Sequence, residues 1–459
     1  MSDISKVLEN AKNIHFIGIG GSGMCPLAEI LHSKGYRLQG SDNNESSIVD
    51  RIRKMGIPVM MGQRPENIEG ADMIVYSAAI SEDNPELAAA KASGIPTFQR
   101  AELFGEISRH FENCVGICGT HGKTTVTSMT TQIMLGAGLD PSCVIGGKLP
   151  LTNSYGRVGN TENFICEACE YKDTFLHLSP NVAVILNVDE DHLEYFKTMD
   201  NLILSFTKFA ELAKSAVIYN GDDENTLKAI KDVTGKQMIS FGFSDKNDYY
   251  PANIEDYKGA YTKFDVMHGG ECLGRITLSV PGRHNVLNAL AAIAAAVFSG
   301  AEFKDCIKGI EDFRGAGRRF EHLGTYNGID FIDDYAHHPA ELKVTLEAAM
   351  KLGYKTVWAV FQPFTYSRTA MHFDEFIDVL QIPDRCVMTE IMGSREVNTY
   401  GVYTSQLAEK IPGSVWFNTF QEVCDYVLKN AQAGDLVLTM GCGDIYKAAN
   451  MMIGELKND

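Results

Sequence analysis

A lysine set in a glycine turn can neutralise phosphate, and Gly119-Thr-His-Gly-Lys-Thr-Thr125 sets Lys123 in such a turn. An apolar run, Cys114-Val-Gly-Ile-Cys118, precedes it, and Val126, Met129 and Ile133 follow at helical spacing. Strand, turn and helix start together make a phosphate cradle. The turn's backbone N–H groups point at the anion, and the helix dipole favours its charge. The strict Walker pattern asks for a glycine five residues before Gly122, where Ile117 stands, so this is a shortened Gly-x-x-Gly-Lys-Thr loop. Lys123 would sit on the β- and γ-phosphates, and the Thr124 hydroxyl could hold a divalent cation. Gly119, Thr120, His121, Gly122, Lys123, Thr124 and Thr125 are therefore expected to bind a nucleoside triphosphate.

Two later strand ends could serve the same phosphates. Glu167-Ala-Cys-Glu-Tyr171 closes one, and Asn187-Val-Asp-Glu-Asp-His192 follows another. Strand C-termini of a parallel sheet open into the ligand crevice. Glu170 and His192 thus join Thr124 as candidate ligands for Mg²⁺, with Mn²⁺ the alternative. Glu167, Asp189 and Asp191 read equally well as solvated loop residues. Cys166 and Cys169 have the C-x-x-C form, but no second pair lies at zinc spacing, and ordinary thiols at a strand end are the stronger reading.

A second glycine turn, Gly18-Ile-Gly-Gly-Ser-Gly23, has the G-x-G-x-x-G form, with Asp42 nineteen residues beyond Gly23. A diphosphate can approach such a turn, and a nearby carboxylate can bind a sugar hydroxyl. NAD and a nucleoside-diphosphate sugar meet that pattern equally, and so does a tight turn without ligand. Gly18, Gly20, Gly21, Ser22, Gly23, Asp42 and Ser77 are the substrate-binding candidates here. Asp333-Asp-Tyr-Ala-His-His-Pro339 and Phe361-Gln-Pro-Phe-Thr-Tyr-Ser-Arg368 form a third group at two further strand ends. They suggest an anion site in which Arg368 holds a carboxylate beside Tyr335 and His337.

The elements that must position these residues read as three α/β blocks within 459 residues. The first block has strands at Ile14–Ile17, Tyr36–Gly40, Pro58–Met60 and Ala71–Tyr76. Its first helix turns Met24, Leu27, Ile30 and Leu31 inward, with Gly35 past its end. The second block has strands at Asn163–Cys166 and Val182–Leu186, a strand-rich stretch at about 236–281, and an Ala-rich helix at Asn288–Val297. The third has strands at Ile329–Ile332, Thr356–Phe361, Cys386–Thr389 and Leu436–Thr439. The fold class is α/β with three domains: Rossmann-like at 1–110, P-loop ATPase-like with a parallel sheet at 111–313, and Rossmann-like at 314–459. A formal charge of −18 argues against nucleic acid or an anionic membrane as partner. No signal peptide or membrane-length apolar run is present, and eleven scattered cysteines fit a reducing cytoplasm.

These motifs, in this order and over essentially the whole chain, resemble the Mur ligases that build the bacterial cell-wall precursor. Ile17–Met24 is similar to their UDP-binding loop and Gly119–Thr125 to their ATP loop. Glu167–Glu170 and Asp191-His192 resemble their metal-facing carboxylate and histidine. Gly282-Arg-His-Asn285 with Asn288 resembles their adenine-contacting segment, and Phe313–Arg319, Asp334–Pro339 and Phe361–Arg368 their C-terminal signatures.

The resemblance implies an ATP-dependent amide ligation of L-alanine to the lactyl carboxylate of UDP-N-acetylmuramate, through an acyl phosphate, in a cytoplasmic monomer or homodimer. UDP would bind the first block, ATP the second and the amino acid the third, and closure would exclude water. Lys123, Glu170, His192, His338 and Arg368 would be catalytic, with His337 or His338 taking the amine's proton. Asn285, Asn288 and Arg318 would complete the ATP site. Two departures stand out: Phe364 and Thr365 where the family carries His and often Arg, and Cys169 where many members have Asp. Phe206 stands where relatives that add later amino acids carry a modified lysine, so no carbamylated lysine is expected. Three other readings stay open: a recycling ligase that adds a ready-made peptide, a dinucleotide-dependent oxidoreductase, and an inactive nucleotide-binding regulator.

Overall fold

Buried β-branched and aliphatic runs form the centres of three sheets. The structure is a computed structural model and describes residues 3–257, 259–394 and 396–458. The N-terminal sheet runs Val59–Met61, Arg37–Asp42, Asn13–Ile17, Met73–Tyr76 and Thr97–Gln99, all parallel. The strand order reverses at Asn13–Ile17, where the carboxyl ends of a doubly wound sheet open a crevice. The site-bearing part of the central sheet runs Gln237–Phe241, Ala216–Asn220, Val182–Ile185, Asn113–Cys118, Asn163–Glu167, Ser142–Leu149 and Ser154–Arg157. Its last strand is antiparallel. The C-terminal sheet runs Glu321–Tyr326, Ile329–Asp334, Leu436–Met440, Val357–Phe361, Arg385–Thr389 and Val415–Phe417, with its first strand antiparallel. The three-domain α/β reading holds, and the stretch expected to be strand-rich forms Tyr249–Tyr257, Tyr261–His268 and Glu271–Thr277.

Some of the strands that the sequence pattern did not show are short edge strands, while Ser142–Leu149 and Ala216–Asn220 lie inside the central sheet. Thr97–Gln99 and Val415–Phe417 have only three residues each, too few for alternation to register. Glu321–Tyr326 is polar and half-buried, so it reads as loop. The helix expected from Asn288 begins four residues earlier, at His284.

By packing, the chain divides into two compact units. One runs to Ala252 and adds Asp265–Ile276 and Leu287–Asp312; the other holds Asn253–Phe264, Thr277–Val286 and the chain from Phe313 on. In the first, a single core joins Phe16, Leu27 and Leu103 to Phe164, Phe175 and Phe206. Phe111 stacks on Phe164 with ring centroids 4.7 Å apart, and Phe104 meets the same ring edge-on at 6.2 Å. Among the described residues all eleven cysteines are free, with Cys114 and Cys166 Sγ atoms 4.0 Å apart. No helix there is long and apolar enough to cross a membrane.

Gly105, inside helix Arg100–Arg109, tests how tightly this unit is packed. A Cβ there would lie 2.2 Å from the His177 carbonyl oxygen. Alanine ordinarily gains about 1 kcal/mol over glycine in a helix, whereas forcing a methyl against backbone costs about 1–3 kcal/mol. The clash is with backbone that cannot swing away, so Gly105→Ala should lower the first unfolding transition in urea. A variant that unfolds later than wild type would show that the turn Tyr171–His177 yields.

Candidate active site

Parallel register brings the phosphate-loop residues together. Ile117 is paired with Glu167 and Cys118 with Ile185, so the loop after Cys118 is flanked by the ends of both neighbouring strands. Gly119 has φ +144° and Gly122 φ +87°; a Cβ on either would strike Leu186 or Asn288 at 2.8 and 2.7 Å. Only glycine fits such close approach. Lys123 opens helix Lys123–Gly136, and its Nζ donates to the Gly119 carbonyl (2.5 Å), the Thr120 carbonyl (3.1 Å) and Glu170 Oε1 (3.0 Å). Burial works against its charge, but Glu170, with Glu167 adding to it, outweighs that and holds the ammonium above the usual lysine range. Thr124 Oγ1 donates to Glu167 Oε2 at 2.9 Å, and Thr125 lies half-buried in the same first turn. Glu167 therefore works inside the site rather than in a solvated loop.

Asn187 is the residue the sequence reading quoted but gave no task. Its Oδ1 accepts the His121 N–H at 2.8 Å and its Nδ2 donates to the His121 carbonyl at 3.1 Å. The Thr120 N–H bonds its carbonyl at 3.1 Å, and the Asp189 N–H bonds Thr120 Oγ1 at 2.9 Å. His121 also lies 3.4 Å from Asp189. The only sequence signal was its place at the end of the strand beside the loop. His192, at φ +56°, lies 3.6 Å from Asp191, and its ring packs on Tyr171 at 4.7 Å. Tyr171 follows Glu170 directly, so one aromatic contact links the two metal candidates. Phe206 is fully buried and edge-on to Phe175 at 5.4 Å, offering no nitrogen to modify.

The first glycine turn lies at the switch point. The Ser77 N–H bonds the Ile17 carbonyl at 3.2 Å, and the Gly18 and Ile19 N–H groups bond the Ser41 carbonyl at 2.9 and 3.0 Å. Asp42 Oδ2 accepts the Gly20 N–H at 2.9 Å and Oδ1 that of Asn44 at 3.0 Å. Gly21 closes the turn through its carbonyl, which accepts the Met24 and Cys25 N–H groups. Ser22 and Gly23 line a cavity on its far side.

In the second unit the strand ends converge on buried aspartates. Arg318 donates to Asp333 Oδ2 at 2.8 Å and to the Gly443 carbonyl at 3.0 Å, with its guanidinium over the Tyr335 and Tyr446 rings. Burial pushes the Asp334 carboxyl up to about 6, while Arg319 and the N–H groups of Ala336 and Phe320 pull the other way. His337 Nδ1 lies 3.0 Å from the Tyr335 carbonyl, whereas His338 Nδ1 accepts the Ala340 N–H at 3.3 Å as a helix cap. The Phe364 ring stands edge-on to His337 at 6.5 Å. Thr365 is held at φ +63°, a real outlier for a β-branched residue, and its Oγ1 accepts the Arg368 N–H at 3.4 Å. Asn285 Nδ2 donates to the Pro281 carbonyl at 2.7 Å, and burial pushes neighbouring His284 down to about 4.

Comparison with known proteins decides the lineage. A UDP-N-acetylmuramate–L-alanine ligase of Acetivibrio thermocellus is 43% identical over 96% of this chain and 96% of its own. The chain belongs to the Mur ligase family. Its family models match in order: the Mur ligase family catalytic domain at 13–112, the middle domain at 117–296 and the glutamate ligase domain at 318–443. A ligase of the same name from Agathobacter rectalis is 43% identical over 94% of this chain and 96% of that one. The crystal structure of a UDP-N-acetylmuramate–alanine ligase from Thermotoga maritima is 26% identical with a TM-score of 0.84, covering 97% of this Mur ligase and 99% of that chain.

Two outcomes follow from these contacts. Asn187→Ala removes both bonds to His121 and should weaken ATP binding about 10-fold, at about 1 kcal/mol or less for each bond; fluorescence titration with a labelled nucleotide reads it, and unchanged affinity would mean the loop holds itself. Asp334 should titrate near pH 6 in a carboxyl-resolved infrared or NMR experiment, against 3.8 ordinarily. Because its folded value lies above the unfolded one, the ionised carboxylate costs stability above that value, and the cost is relieved as pH falls from about 6 toward 3.8. A midpoint at the ordinary value would show that water reaches the group.

Proposed function

We propose that this Mur ligase joins L-alanine to the lactyl carboxylate of UDP-N-acetylmuramate, splitting ATP to ADP and phosphate, in cytoplasmic peptidoglycan precursor synthesis. The observation that carries the reading is the 43% identity, over 96% of both chains, to a ligase of that name. The buried Lys123–Glu170 pair supplies the chemical counterpart. The divisions at 1–110, 111–313 and 314–459 belong to the same proposal and are supported by the three family-model ranges.

A carboxylate does not accept an amine, because oxide cannot leave. Attack of a carboxylate oxygen on the γ-phosphorus breaks the bond to ADP and makes an acyl phosphate. Lys123 and the N–H groups of the turn hold the transferring phosphoryl, a step that is mostly positioning and charge neutralisation. Asn285, Asn288 and Arg318 would complete the nucleotide site, and Gly18 to Gly23, Asp42 and Ser77 the sugar-nucleotide site. Glu170 sets both carboxylate oxygens 3.0 Å from Lys123 Nζ, so a buried carboxylate beside the phosphate loop is on hand for a hard cation. Among the described residues no group of three or more His, Cys, Asp or Glu side chains is preassembled. That suits Mg²⁺, which binds through one or two carboxylates, water and phosphate oxygens. Thr124, Glu170 and His192 would hold it, with Mn²⁺ the alternative, and when bound it would neutralise phosphate charge.

In the second half-reaction the neutral amine attacks the acyl carbon, phosphate leaves, and the nitrogen loses a proton. The Tyr335 carbonyl can only accept, so the neutral His337 ring carries its proton on Nδ1 and is basic at Nε2. The Ala340 N–H can only donate, so neutral His338 has its proton on Nε2. The geometry therefore favours His337 over His338 as the base, with Arg368 and Tyr335 orienting the amino acid.

Phosphate release from ATP and Mg²⁺ should require both UDP-N-acetylmuramate and L-alanine. Dependence on a tripeptide instead would move the enzyme to recycling, and no release from folded, ATP-binding protein would leave a regulator. His337→Gln should lower kcat about 100-fold or more and remove the acidic limb of its pH profile, while His338→Gln keeps that limb. The reverse pattern would return the base to His338.

A further inference from the structure

We infer that Arg100 grips an anionic group of the sugar-nucleotide substrate, an inference that rests on the ligase reading above. Arg100 opens helix Arg100–Arg109 at the carboxyl end of the N-terminal sheet. It lines a cavity of about 260 Å³ with Ser22 and Gly23 of the first glycine turn on one side and Gly146, Glu167 and Cys169 on the other. That volume is below the roughly 300–1,000 Å³ of a pocket enclosing a whole small ligand, so it takes one group of a longer molecule.

Three observations point to an anion. Among the described residues the guanidinium makes no ion pair and no hydrogen bond; its close partner is the Phe104 ring, 5.8 Å away. The side chain is half-buried, and its partial withdrawal from water pulls it down from the usual arginine range. A Cβ on Gly23 would lie 3.3 Å from Arg100 Nη1, so glycine at that position leaves room beside the fork. Glu167 does not fill the role of partner. Its carboxylate accepts Thr124 Oγ1 at 2.9 Å and the Gly146 N–H at 2.7 Å.

A planar guanidinium binds carboxylate or phosphate through two parallel N–H bonds, and a half-buried one with neither such bond is ready for such a group. The cavity wall at Glu167 leads through Thr124 to the phosphate loop, and the wall at Ser22 and Gly23 belongs to the diphosphate-type turn. The sugar nucleotide has an anion suited to each: its lactyl carboxylate and its diphosphate.

The test is calorimetric titration of the full-length wild type, Arg100→Met and Arg100→Lys with UDP-N-acetylmuramate, UDP and ATP. Arg100→Met should bind UDP-N-acetylmuramate about 10-fold or more weakly, Arg100→Lys should recover part of the loss, and ATP affinity should stay unchanged. A parallel loss of UDP affinity identifies the diphosphate as the gripped group; intact UDP affinity identifies the carboxylate. Unchanged affinity of Arg100→Met for both uridine ligands overturns the inference. So does an Arg100→Lys protein that loses ATP binding to the same degree, because the arginine would then be serving the fold. Wild type that binds ATP but neither uridine ligand overturns the ligase reading itself.

Discussion

A buried ammonium must be paired, and that constraint on Lys123 organises the first unit. Nζ is bound by two loop carbonyls and by Glu170, whose side chain is only 2% exposed. Removing the carboxylate would leave an uncompensated charge, costlier than the loss of an exposed pair. Glu170 can stand there because the chain turns sharply after it, with Lys172 and Asp173 both at left-handed φ. That turn is anchored by Phe175, stacked on Phe209 at 4.7 Å. The Lys123 ammonium thus depends on an aromatic core several residues away, and on the register that sets Glu167 level with Ile117.

The second unit applies the same rule with the sign reversed. Here the buried groups are carboxylates, and cations and N–H donors gather around them. Asp333 takes the Arg318 guanidinium and the Thr439 hydroxyl at 2.6 Å. Asp334 takes the N–H groups of Phe320 and Ala336 at 2.7 and 2.8 Å. Because strands Ile329–Asp334 and Val357–Phe361 both pair with Leu436–Met440, this network locks the loops bearing His337 and Arg368 to one frame. Arg318 serves that frame in the structure, through three loop carbonyls beside Asp333.

How much was legible depended on whether the signal was local. The two glycine turns, the strands before them and the helix after Gly122 each show in a short window, since positive φ demands glycine and burial demands an apolar run. The parallel sheets follow from alternation of strand and helix. Asn187 was on the page as a letter but had no visible partner, because His121 is 66 positions away. Arg100 looked like any arginine at a helix start. The choice between His337 and His338 was beyond composition, for adjacent histidines differ only in what their Nδ1 atoms meet.

Residue types and spacing by themselves determined that this chain carries a phosphate loop, a diphosphate-type turn and cationic strand ends on α/β scaffolds, and the likeness of those motifs determined the family. Tertiary structure alone decided which side chains spend their charge on the protein and which turn it toward a ligand. Asp42 bonds its own turn, Glu167 bonds Thr124, and among the described residues Arg100 meets the Phe104 ring but no hydrogen-bond or ion-pair partner. The physical reason is that a charge declares its task through what surrounds it within a few ångströms, and pairing of distant strands sets those neighbours.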